Sequence, residues 1–206
     1  MKTYVLWYPP LNRPINFGFE YELIECEPSI PFWTEDEKSW EAKTSIQFRQ
    51  LRPAEKSIAV KHLEAYQRLA NSTYDYALIL EDDTILVENF MPILESRIGT
   101  LSDEKSKWDF LFIGSCCNLR ISQEHIIPGQ YWYKKSYPAT KCADSYVIKR
   151  KAAQACLEEL PYTLPIDWEL SYIIEKRNMT TYWLEPPIVV QGSQNGTYES
   201  SIQCSM

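Results

Sequence analysis

From Pro53 onward, Ile58, His62, Leu63, Ala65, Tyr66 and Leu69 recur at helical spacing on one side, with proline suited to a first turn. The spacing predicts an amphipathic helix that ends near Asn71-Ser72. YALIL (76–80) then forms an unbroken apolar run of strand length, the pattern of a strand covered on both faces of an α/β sheet. A helix is predicted over 88–98 with Pro92 in its first turn, and FLFIGS (110–115) reads as a second buried strand stopped by Gly114. QYWYKK (130–135) and SYVIK (145–149) read as strands, 151–160 and 167–176 as helices, and TYWL and IVVQ near the end as short strands. TYVLWY (3–8) reads as a first strand, closed by two prolines that cannot donate to a ladder. Between residues 11 and 52, Pro, Trp and charge mix without sustained period, which predicts strand fragments and long loops. No repeat, low-complexity tract or linker interrupts the chain. The alternation predicts one α/β domain with a central, mostly parallel sheet under helices, whose ligands gather outside the carboxyl ends of the strands.

Length agrees with a single core, since 206 residues suit one domain better than two. A net charge of -7 and the lack of a Lys/Arg run exclude the usual nucleic-acid binder. It also makes an anionic substrate awkward without a cation. Seven Trp and fourteen Tyr supply aromatic surface suited to planar or sugar rings. No stretch reaches the roughly 18 apolar residues of a membrane span, and the short apolar run before Pro9-Pro10 fails as a signal-peptide core, so the expectation is a soluble, cytoplasmic chain. Cys26, Cys116, Cys117, Cys142, Cys156 and Cys204 show no C-x-x-C spacing and read as reduced structural thiols. Three glycan acceptor patterns, at Asn71, Asn178 and Asn195, carry little weight without a secretory signal.

The chemistry concentrates in ALILEDDTILVENF (77–90), where Glu81-Asp82-Asp83 ends the predicted buried strand. Adjacent carboxylates in a desolvated cleft oppose one another's ionisation. A hard cation such as Mn²⁺ or Mg²⁺ removes that conflict, and it is commonly held by one or two protein carboxylates plus substrate phosphates. The cluster therefore suits half of a diphosphate site. The bland alternative is a charged turn.

AEKSIAVKHLEAYQRLANSTYDYALILEDDTILVENF resembles the central block of glycosyltransferase family 25, which contains lipooligosaccharide and procollagen galactosyltransferases. Glu55, His62 and Glu81-Asp82-Asp83 match the family pattern in order, with Lys61 where relatives carry Ser. KWDFLFIGS (107–115), ADSYVIKRKAAQACL (143–157), PIDWEL (165–170) and PPIVVQGS (186–193) resemble further family segments, so the likeness spans about 53–193. Asp144-Ser145-Tyr146 stands where relatives often have His-Ala-Tyr, and the N-terminal WYPPLNRP resembles the family opening only loosely. The resemblance implies a GT-A, nucleotide-diphosphosugar transferase fold: one α/β/α sandwich with a mostly parallel mixed sheet, residues 1–206 forming the catalytic domain. It further implies a metal-dependent enzyme that moves a hexose, galactose or glucose first, from a UDP-sugar to a glycan or glycoprotein hydroxyl.

On that resemblance Trp7, Tyr8 and Pro9, after the first strand, are candidates for the uridine pocket, with core packing the alternative for Trp7. Asp83 is the expected principal metal ligand, Asp82 the next, and Glu81 the ribose or metal-water group. His62 and Gln191 are donor-binding candidates, His62 reading equally as a core histidine; Ser193 and Gln194 accompany Gln191. Inversion of configuration needs a base across the sugar from the leaving phosphate, and PIDWEL offers Asp167 and Glu169. Asp167 reads equally as a helix cap. Arg49, Arg52 and Lys61 are within reach of a diphosphate but read first as solvated charge. An aspartyl-phosphate enzyme is disfavoured because Glu81 occupies its nucleophile position. The remaining alternative is a non-catalytic carbohydrate-binding or inactive transferase-like module.

Overall fold

The apolar run at 76–80 becomes β3 (Tyr76–Glu81), the central contact of the sheet, in a computed structural model that describes residues 1–25, 34–101 and 107–199. Its neighbours are β1 (Lys2–Leu6) and β7 (Ser145–Lys149), and the row continues through β2 (Glu22–Ile24) on one side. On the other it runs through β5 (Phe110–Phe112), β8 (Thr181–Leu184) and β6 (Trp132–Lys135), giving the order β2-β1-β3-β7-β5-β8-β6. β1, β2, β3, β5 and β8 point one way; β7 and β6 run against their neighbours. The sheet is mixed, with most strands codirectional.

Alternation along each strand feeds two apolar layers. Tyr4, Leu6, Ile79, Phe110, Phe112, Tyr146 and Trp183 face α2 (Pro53–Ala70), α4 (Arg150–Leu157) and α5 (Ile166–Lys176). Val5, Leu78, Leu80, Leu111 and Val147 face the opposite side with Phe90 and Leu94 of α3 (Phe90–Gly99). Burial on both faces explains why these strands lack polar alternation. The result is a single α/β domain of sandwich form.

α2 begins where expected, with Pro53 in its first turn. Glu55 accepts from the Arg52 backbone N–H (2.8 Å) and from the Arg49 guanidinium (2.6 and 2.7 Å), which ties down the entering chain. Two elements were not legible in the sequence. α1 (Glu37–Lys43) starts at Asp36, whose carboxylate caps Lys38 N–H, and it buries Trp40 against Leu51 and Leu164. β4 (Thr84–Leu86) pairs antiparallel with β9 (Val189–Gln191), forming a ribbon that sets Gln191 opposite Thr84. The first strand ends at Leu6, so Trp7 and Tyr8 lie beyond it.

Because β1, β3, β5 and β8 share a direction and β7 opposes them, one edge of the sheet collects their carboxyl ends together with the amino end of β7. Leu6, Glu81, Phe112, Ser145 and Leu184 all reach it. Backbone bonds from Glu81 N–H to Asp144 O (2.8 Å) and from Asp82 N–H to Leu6 O (3.1 Å) hold the acidic segment in that edge.

Candidate active site

A cleft of about 610 Å³ opens at this edge. Tyr8, Arg13, Arg52, Ser57, Lys61, Glu81, Asp82, Asp83, Gln191 and Ser193 are among its lining residues, from four separate stretches of chain. Of the expected site residues, Tyr8, Glu81, Asp82, Asp83 and Gln191 meet here. Trp7, Pro9, His62, Asp167 and Glu169 do not line it.

Each acid is held differently. Asp82 accepts from Tyr8 N–H (2.7 Å) through one oxygen and forms a buried ion pair with Arg13 through the other. Burial still pushes its pKa up, against the opposing pull of the Tyr8 N–H and Arg13. Each Asp82 oxygen thus accepts one bond, so as a metal ligand it would use a remaining lone pair. Asp83 is only 3% exposed; one oxygen accepts from Ser193 Oγ (2.5 Å) and the other, Oδ1, has no partner. The Asp83 carbonyl accepts from Gly192 N–H (2.6 Å), and a Cβ on Gly192 would stand 2.9 Å from that oxygen and 2.3 Å from the Tyr198 ring. Glycine is needed there for the two loops to meet. Gln191 Oε1 is also buried without a partner.

Glu81 faces His62 at 3.6 Å, and burial disfavours the charged form of each. It raises Glu81 well above the usual carboxylate range, reinforced by Asp83 and Asp144, and lowers His62 to about 3. The approach is therefore not an ion pair. His62 is fully buried, stacks on Tyr146 and meets its hydroxyl through Nδ1 (2.7 Å), so it belongs to the floor beneath the cleft.

Lys61 corrects an expectation. It was read as solvated charge, yet it is 3% exposed, donates to Ser57 Oγ (2.7 Å) and lies 5.2 Å from the Tyr8 ring centroid inside the cleft. Its ammonium, close to the Tyr8 ring, reaches the cavity.

Glu169 is corrected as a base. It is fully buried, and its carboxylate is committed to Lys43 (2.5 Å) and to the Thr163 and Leu164 backbone N–H groups (2.8 and 2.9 Å). Those bonds pin the loop before α5. Asp167 instead lines a second cavity of about 450 Å³ with Trp168, Tyr172, Tyr137 and Thr140. Burial raises its pKa, partly offset by backbone N–H groups at the start of α5, and its charge is felt at Glu81.

The cysteines also depart from expectation. Cys116 and Cys142 form a disulfide across 26 residues of sequence, a pairing that spacing alone did not reveal. Cys117 and Cys156 are free, and Cys26 and Cys204 lie outside the described residues. Cys116, Cys117 and Cys142 bring their sulfurs within 4.8 Å of one another, but with Cys116 and Cys142 joined only Cys117 keeps a thiol, so the trio would offer three metal donors only after reduction of the disulfide. Sulfur donors favour softer ions than Mn²⁺ or Mg²⁺.

A mixed sheet between helices, with acids emerging from its third strand above an open cleft, defines a GT-A-like sandwich. The description "Glycosyltransferase family 25 (LPS biosynthesis protein)" matches residues 33–170, and the chain belongs to that family. Its activity is accordingly that of a glycosyltransferase, which implies a nucleotide-sugar donor and an acceptor. Among curated proteins none matches the chain. Among solved structures, the crystal structure of A197 from STIV is similar over 92% of this chain and 83% of that one, at 16% identity and a TM-score of 0.44. No helix among the described residues is long and apolar enough to cross a membrane.

Proposed function

We propose that the chain transfers a hexose from a UDP-sugar to a hydroxyl of a glycan or glycoprotein, with a divalent cation, Mn²⁺ or Mg²⁺, at the acidic edge. The observation that carries this reading is the meeting, in one cleft, of a buried carboxylate with an unpartnered oxygen (Asp83), a desolvated cation (Lys61) and an exposed aromatic ring (Tyr8). A buried oxygen without a partner is costly unless something fills it. Hard oxygen donors of this kind fit Mn²⁺ or Mg²⁺. When bound, such an ion neutralises charge on the departing diphosphate.

The remaining work falls to the chain. Tyr8 offers a face to the uracil ring, with Trp7 and Pro9 shaping the backbone behind it. Lys61 and Arg52 meet phosphate oxygens, and Glu81, whose proton affinity burial raises, presents its carboxyl to the ribose. His62 supports Tyr146 beneath. Gln191 and Ser193, carried by β9 and the turn after it, close the opposite wall. Asp167 takes the proton of the acceptor hydroxyl: its raised proton affinity suits a base, and it lines the second cavity, where Trp168 and Tyr172 offer faces to a sugar ring. Attack from that side inverts configuration. We assign residues 1–206 to one catalytic domain. Disulfides are rare in cytosolic proteins, so the Cys116–Cys142 bond weighs against the cytoplasmic expectation.

The test is UDP release from UDP-galactose and UDP-glucose, without acceptor, in the presence and absence of Mn²⁺. The reading requires metal-dependent release that Asp83→Ala abolishes in a folded protein. Metal-independent glycan binding with no release from either donor would make the chain a carbohydrate-binding module instead.

A further inference from the structure

We propose that Arg13 is a positioning residue for donor binding: its guanidinium clasps the C-terminal segment to the acidic turn and so holds one wall of the nucleotide cleft in place. The inference rests on the transferase reading above and deepens it, naming a residue outside the expected site.

Local structure brings Arg13 to the edge. After β1 the chain makes a single 3-10 turn, Pro9–Leu11, closed by Asn12 N–H on the Pro9 carbonyl (2.9 Å). Asn12 adopts the left-handed region (φ 44°), which asparagine tolerates better than most residues, and Arg13 follows at once. Arg13 lines the cleft yet is only 9% exposed. Its Nη1 donates to Asp82 Oδ1 and its Nη2 to the carbonyl of Glu199, which also lines the cleft. These partners lie 69 and 186 residues away in sequence, so one side chain joins three remote stretches. Each Asp82 oxygen keeps a lone pair, so the clasp leaves Asp82 open to a cation.

The segment that Arg13 fastens has its other end on the neighbouring acid. Gly192 N–H donates to Asp83 O (2.6 Å) and Ser193 Oγ to Asp83 Oδ2 (2.5 Å). The chain then turns back on itself, with the Thr197 and Tyr198 N–H groups both donating to Gly192 O (2.9 and 3.1 Å). Gln191 and Ser193, which the reading above places in the cleft wall, thus belong to a loop pinned at its start by Asp83 and at its end, through Arg13, by Asp82. Arg13 Nε is buried without a partner, so the hold rests on the two Nη donors. A guanidinium presents donors on separate nitrogens in one fixed plane. A compact ammonium cannot serve two acceptors in the same geometry.

The test separates the two contacts. Arg13→Gln removes the charge from both, whereas Arg13→Lys keeps a cation for Asp82 and gives up the fork. Melting temperature, calorimetric UDP affinity in Mn²⁺, and amide hydrogen exchange at Thr197 and Tyr198 are read for each. Arg13→Lys is expected to recover most of the melting temperature lost in Arg13→Gln, yet to bind UDP about tenfold more weakly than wild type and to exchange those two amides faster. UDP affinity that merely follows melting temperature in both variants, or wild-type affinity and exchange in Arg13→Lys, overturns the positioning role and leaves the transferase reading intact. If neither variant folds, the wild type decides: Thr197 and Tyr198 are expected to gain protection when UDP and Mn²⁺ bind, and unchanged exchange overturns the clasp. No UDP binding by the wild type in Mn²⁺ overturns both readings.

Discussion

Acid is expected to destabilise this protein partly through one imidazole. His62 is fully buried, its Nδ1 meets the Tyr146 hydroxyl and its Nε2 has no partner. Burial, with the neighbouring Lys61 charge, lowers its pKa from 6.5 to about 3. Between those values the unfolded chain protonates this group and the folded chain does not. Neutral His62 therefore contributes stability that is present above pH 6.5 and is lost as pH falls toward 3. The full difference corresponds to about 5 kcal/mol, of which roughly 2.5 kcal/mol is lost between pH 7 and pH 4.5. Carboxylates titrate in the same window with opposing signs. Glu22 and Glu159, with lowered pKa values, lose stability on acidification, whereas Asp144 and Asp167, with raised ones, gain it. The measurement is therefore a difference: urea unfolding of wild type and His62→Asn at both pH values. The variant is less stable at pH 7 but is expected to be less acid-sensitive than wild type by about 2 kcal/mol. Equal acid sensitivity would refute a neutral, buried His62 and return it to the list of ligand-binding groups.

Three further outcomes follow from the same geometry. Glu169→Gln breaks the Lys43 pair and weakens the bonds to Thr163 and Leu164; it is expected to cost about 3 kcal/mol in thermal or urea unfolding, and a neutral effect would contradict its structural role. Asp167→Asn is expected to slow sugar transfer by roughly 10²- to 10⁴-fold and flatten the acid limb of the pH–rate profile; wild-type transfer would leave Asp167 as an acid in the first turn of α5, whose N-cap is Pro165, and correct the helix-cap reading too. Gly192→Ala is expected to cost about 1–3 kcal/mol and to weaken UDP binding, because its Cβ forces the Asp83 turn and Tyr198 apart; unchanged melting and binding would show that this close approach is dispensable.

Much of the fold was legible because its strands are apolar on both faces and its long helix carries its own start and stop signals. α2, β3, β7 and α5 fall within a few residues of where periodicity put them. α1 escaped because it is short and buries one dominant side chain, Trp40, so no helical stripe develops. β4 escaped because its three residues acquire strand form only by pairing with β9, more than a hundred residues later. The acidic turn announced itself as consecutive carboxylates at a strand end. Arg13 did not, since it is a single charge in a segment without period and meets Asp82 only in the folded chain. Glu169 shows the converse failure. Lying two residues from Asp167 suggested shared chemistry, but that spacing puts the two on different sides of the helix, and Glu169 turns inward onto Lys43 and the preceding loop. The disulfide was hidden because Cys116 and Cys142 come together only when β5 and β7 pair.

The central claim is that the acidic edge of the sheet holds a cation that in turn holds a nucleoside diphosphate. Calorimetric titration of the wild-type protein with UDP, in Mn²⁺ and again in a chelator, measures this linkage without acceptor or turnover. The account predicts a saturable heat with Mn²⁺ that disappears in the chelator. Equal UDP affinity in both conditions, or no UDP binding in either, would contradict it.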